Sequence, residues 1–91
     1  MIEELIENGE YLQALNQLHD MNDEKTRYLR LVCFIGLGEF EKAKYEGAHA
    51  KALAKETYYD VISMYIMALK ELGEYEEAID EEDYMVPGTK Y

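Results

Sequence analysis

The chain has no tryptophan, one cysteine and one proline in 91 residues, and none of its apolar stretches approaches the length of a membrane span. A lone cysteine excludes a disulfide framework, and a spanning helix needs about 18 or more apolar residues in a row. Bases are scarce as well: nine lysines and arginines stand against twenty acids, for a net charge of −11. Nucleic acid and anionic membrane both need a basic footprint, so neither is an expected partner. Met1-Ile2-Glu3-Glu4 lacks the basic and apolar segments of a secretion signal, which makes the cytoplasm the expected setting. Catalytic signatures are missing too: there is no HExxH, no Gly-x-Ser-x-Gly and no phosphate-binding glycine loop. No enzyme activity, cofactor or metal site is therefore expected.

One short phrase occurs three times. Gly9-Glu10-Tyr11, Gly38-Glu39-Phe40 and Gly73-Glu74-Tyr75 are each followed, three residues after the aromatic, by Ala14, Ala43 or Ala78. An internal period of about this length signals one helical unit stacked on itself. The glycine has a physical reason, because a helix that stops and turns into an antiparallel neighbour commonly needs a left-handed residue just past its end. Leu31, Phe34, Ile35 and Leu37 lead to Gly38; Ile62, Tyr65, Ile66, Leu69 and Leu72 lead to Gly73. Both sets have the helical spacing of one buried face, so each glycine closes the first helix of a pair.

With Gly-acid-aromatic-x-x-Ala repeated, Ala50 seven residues after Ala43, and an apolar helix ahead of the second and third copies, the chain resembles the tetratricopeptide repeats. The resemblance is divergent. The family's Leu-Gly pair inside the first helix is replaced by Arg30-Leu31 and Tyr65-Ile66, and the closing proline is absent. It implies an all-α fold of stacked antiparallel hairpins, an α-solenoid of about five to six helices. The expected hairpins are residues 1–21, 24–55 and 57–84, forming a single domain over 1–84, with 85–91 as a tail after the Pro87-Gly88 turn signal. The first and third hairpins are short, which favours association with another copy or with a partner.

In the family the first helices line a concave face, and positions ten and six residues before the turn glycine point into it. Those positions are Tyr28 and Val32, then Ser63 and Met67. The resemblance thus implies a partner-binding groove of Tyr28, Val32, Met64 and Met67, rimmed by Lys25, Asp60 and Lys70. Thioethers and tyrosine suit an apolar helix or extended segment, since they repack around varied shapes. The same methionines also suit a core. The lysine and asparagine with which some family members grip a terminal carboxylate are absent.

Charge is banded: residues 1–24 hold seven acids and no base, 25–55 seven bases and three acids, and 56–91 ten acids and two bases. Solvated helix faces explain such a drift, but so does a basic patch of Arg27, Arg30, Lys42, Lys44, Lys51 and Lys55 that meets acidic surface on a partner or a second copy. Two smaller features concern packing. Phe40, Ala43, Gly47, Ala50 and Ala54 form a stripe of mostly small residues that lets a neighbouring helix approach closely. Thr57-Tyr58-Tyr59-Asp60 reads as a capping-box start. Glu46-x-x-His49 has di-iron spacing without its second half, Cys33 sits in an apolar helix as a buried hydrophobe, and nine tyrosines suit interfaces or core margins.

These features predict a non-catalytic protein-protein interaction module whose groove takes an apolar segment of a protein or peptide partner. The alternative is a self-associating scaffold unit, a homo-oligomer joined through its short end hairpins and its complementary charge bands.

Overall fold

A computed structural model of the protein describes residues 2–85, with side chains as far as residue 83. It is all-helical. Six helices follow one another as α1 (Ile2–Glu7), α2 (Tyr11–Leu18), α3 (Glu24–Leu37), α4 (Phe40–Leu53), α5 (Tyr58–Glu71) and α6 (Tyr75–Met85), with no strand among the described residues. The third hairpin's second helix therefore runs to Met85, slightly past the expected limit, and the Pro87-Gly88 turn lies outside the described residues. Among the described residues no helix is long and apolar enough to cross a membrane.

The repeated phrase folds the same way each time. Gly9, Gly38 and Gly73 have φ of 78°, 74° and 81°, a region where an L side chain costs about 1 kcal/mol or more. Each glycine N–H donates to the carbonyl three residues back, and the next residue's N–H to the carbonyl five back: Gly38 to Ile35 at 3.0 Å and Glu39 to Phe34 at 2.9 Å in the central copy. This pair of bonds satisfies carbonyls that the helix end would otherwise leave bare. The glutamate carbonyl then accepts from the alanine N–H of the next helix, as in Ala43 to Glu39 at 2.9 Å. The phrase thus spans the end of one helix and the first turn of the next.

Such short connections make successive helices antiparallel. Each helix packs on the next, and α3 also packs on α5. Leu31, Ala43, Ala50, Val61 and Ala68 form one core cluster, and Ile62, Tyr65, Ile66, Leu69 and Ala78 a second. The small stripe of α4 is where the neighbours close in: Gly47 lies against the ring of Tyr65 on α5. Gly36 on α3 is similarly covered by the ring of Tyr11.

Two polar ties set the helices in register. Glu24, at the start of α3, accepts from the Lys55 N–H at 2.7 Å, the Thr57 N–H at 3.1 Å and the Thr57 hydroxyl at 2.8 Å. This replaces the expected capping box, since Thr57 makes no side-chain cap bond to its own helix. The second tie is a two-rung ladder from α4 to α6, Lys44 to Glu74 at 2.5 Å and Lys51 to Glu81 at 2.6 Å. Both residue numbers advance by seven, about two turns, from one rung to the next, so α4 runs in the same direction as α6 with the Glu74 that precedes it.

Candidate functional site

The expected groove residues sit on α3 and α5 and divide into two kinds. Tyr28 and Met64 are half-buried against the first core cluster, Val32 is half-buried, and Met67 is 47% exposed. Met64 is therefore partly a core residue, whereas Met67 faces solvent. Of the rim residues, Lys25 pairs with Glu3 at 3.0 Å, Lys70 pairs with Glu82 at 3.0 Å, and Asp60 is exposed.

The expected basic patch does not form as a band. Arg30 is buried: its Nη1 donates to the Leu18 carbonyl at 2.8 Å and the Met21 carbonyl at 2.6 Å, and its Nη2 to Asn22 Oδ1 at 2.9 Å and Glu46 Oε2 at 3.3 Å. Leu18 ends α2, so this guanidinium satisfies a bare helix terminus from the neighbouring helix. Arg27 donates Nη1 to the same Glu46 oxygen at 3.0 Å. Lys44 and Lys51 are the ladder to α6. Only Lys42 and Lys55 of the six are exposed. A cation pattern read as surface is largely neutralised inside the chain, because the acids of the third hairpin and Glu46 lie within reach.

Glu46 is the residue that sequence reasoning missed. It is 6% exposed although it is a carboxylate, and a buried charge persists only when it is paired. The signal was its place in the stripe: Ala43, Glu46, Gly47 and Ala50 share the i, i+3, i+4, i+7 face, so a carboxylate on that face requires a cation opposite. Cys33 is fully buried, and burial pushes its thiol up to about 11, far from thiolate chemistry at neutral pH.

Arg27, Arg30 and Glu46 form the inner wall of a cleft of about 470 Å³ between α2, α3 and α4. His19 and His49 stand at its lining. His19 is committed locally, Nδ1 to the Asn16 carbonyl at 2.7 Å and Nε2 to Asp20 at 3.1 Å. His49 meets the Tyr45 ring edge-on, with centroids 4.5 Å apart. Phe34, Tyr45 and Glu46 also border an adjoining hollow of about 380 Å³. None of the expected groove residues lines this cleft. Comparison with protein-family models, with curated proteins and with solved structures finds no match.

Proposed function

We propose that this protein is a non-catalytic, cytoplasmic protein-interaction module of the tetratricopeptide type that receives an apolar helix or extended segment of a partner on the surface of α3 and α5. One observation carries the reading: Met67 on α5 is 47% exposed, and Tyr28 and Met64, half-buried on α3 and α5, pack against the same core cluster while α3 packs on α5. The Glu24 bonds to Lys55 and Thr57 hold the start of α3 to the start of α5. A surface fixed before binding loses little freedom when a partner arrives, which favours affinity. The three identical glycine closures and the α3 to α5 contact support the repeat reading.

The test is retention of partners from a cell lysate on the immobilised chain, comparing wild type with Met67→Glu. A protein held by the wild type and lost with Met67→Glu supports the reading. The same set on both removes it.

Self-association is a second reading, favoured by large apolar side chains left in solvent: Leu12 at 68%, Tyr75 at 61% and Ile79 at 55% exposed. Charge complementarity no longer recommends it, because Lys44 and Lys51 already meet Glu74 and Glu81 within one chain. An oligomer by light scattering that survives high salt is the outcome this second reading requires.

A further inference from the structure

The cleft between α2, α3 and α4 carries chemistry that the α3 and α5 surface does not use. Arg27, Arg30 and Phe34 follow one stripe of α3, nearly opposite the stripe of Tyr28 and Val32. Arg30 is spent on Leu18, Met21, Asn22 and Glu46. Arg27 gives one nitrogen to Glu46, and its remaining N–H groups have no hydrogen-bond partner among the described residues. Its side chain keeps 19% of its exposure, at the wall of the cleft. Two guanidiniums share one carboxylate there, so Arg27 keeps donors that Glu46 does not take up.

Beside this charge lies an apolar shelf. Phe34 is half-buried, and the Tyr45 ring is 68% exposed with only the edge contact to His49. The cleft and the adjoining hollow share both residues, so a charged group and an apolar one fit side by side. Of the nearby acids, Asp20 contacts His19, and Asp23 accepts from the Thr26 hydroxyl and lies near enough to Arg30 to interact with it. Glu41 borders the hollow beside Lys42, and none of these acids takes up the remaining donors of Arg27.

We propose that this cleft docks an acidic peptide segment of a partner protein, with a carboxylate on the free donors of Arg27 and the neighbouring apolar side chain on Phe34 and Tyr45. A guanidinium fork matches a carboxylate, and partial burial strengthens the bond relative to one in open solvent. A basic side chain in that place would face the Arg27 guanidinium and is rejected. The site is separate from the α3 and α5 surface, so the two readings fail independently.

The probe is the capped peptide acetyl-Gly-Asp-Phe-Gly-amide, with its asparagine counterpart as control, titrated into the isotope-labelled chain while amide shifts are followed. The expected result is movement of the signals of Asn22, Arg27, Phe34, Tyr45 and His49. The asparagine peptide is expected to bind about tenfold or more weakly, since it forfeits a charge-assisted bond. Arg27→Gln abolishes the response with the native spectrum retained, because Arg30 still pairs Glu46. Tyr45→Ala, a change at an exposed position, weakens it and decides the matter should Arg27→Gln unfold. Any of four results overturns the proposal: no shifts at millimolar peptide, equal response to both peptides, shifts confined to Tyr28, Val32 and Met67, or the same shifts produced by raising the protein concentration alone. The last would assign the cleft to a second copy.

Discussion

The ring of Tyr65 rests directly on the α-carbon of Gly47. A Cβ placed on Gly47 would come within 2.7 Å of Tyr65 Cδ1, 3.2 Å of its Cβ and 3.3 Å of its Cγ. The ring has little room to retreat, because its hydroxyl donates to Glu77 at 3.1 Å and the Lys51 ammonium sits 5.0 Å from its centroid. Gly47→Ala gains about 1 kcal/mol of helix propensity and loses about 1–3 kcal/mol to overpacking. The expected outcome is net destabilisation, larger for Gly47→Leu, read as a lower denaturation midpoint. An unchanged midpoint in the leucine variant would show that the α4 to α5 contact is looser than described.

Glu46 holds two guanidiniums, and removing it leaves Arg27 without its partner and the buried charge of Arg30 with only the neutral acceptors Leu18, Met21 and Asn22. Breaking a buried pair from one side costs about 3–5 kcal/mol, and each kcal/mol shifts the melting temperature of a domain this small by about 4–8 °C. Glu46→Ala is expected to lower the melting temperature by at least about 10 °C. Arg27→Gln is expected to be far milder, since Arg30 remains on Glu46. Equal effects from the two would contradict the pairing.

Acid should destabilise the fold. Hydrogen bonds from Lys55 and Thr57 hold the Glu24 carboxyl below its ordinary value, Lys44 does the same for Glu74, and the Thr26 hydroxyl for Asp23. The folded state binds these protons less tightly than the unfolded chain. Their stabilisation is present at neutral pH and is lost as pH falls below the ordinary carboxylate range, about pH 4. The urea midpoint should therefore decline from pH 6 to pH 3, and Glu24→Gln should make that decline shallower.

At the alkaline end the sign reverses. Burial, then the bond to Glu77, pushes the Tyr65 hydroxyl up to about 12, and Glu74 raises Lys44. The folded state holds these protons more tightly, so stability present below about pH 10 drains away above it. Tyr65→Phe should blunt the alkaline loss while leaving the acid limb unchanged.

Reversing Lys44 to glutamate places it against Glu74, and Glu74→Lys in the same chain restores an opposed pair. Both side chains are about a third exposed, so the coupling in a double-mutant cycle should be about 0.2–1 kcal/mol and should shrink in salt. A cycle with no coupling at low salt would leave the α4 to α6 register resting on packing alone.

The helices and their turns were legible in the sequence because they depend on local chemistry. Only glycine sits comfortably at the φ of Gly9, Gly38 and Gly73, and the aromatic-x-x-Ala that follows marks the next first turn. The Gly47 stripe was legible for the same reason, since a face of alanine and glycine admits a close neighbour. What failed was long-range polar pairing. Thr57 looked like a cap until Glu24, 33 residues earlier, took its hydroxyl. Arg30 looked like surface because nothing within its own helix reveals that the end of α2 comes to meet it. A charge shows its type in the sequence, whereas its partner is chosen by the fold.

The ladder between α4 and α6 has a consequence for growth. Lys44 stands four residues after Phe40, and the same place after Tyr75 is held by Ile79, which is 55% exposed. Repetition by a fixed step has no geometric end, yet here its electrostatic half does not recur. Glutamates approaching the outer side of α6 would shed water against isoleucine and gain no cation in return. The pattern therefore counts: the ion-pair rule specifies one α4 to α6 partnership and offers no cation at Ile79 for the next.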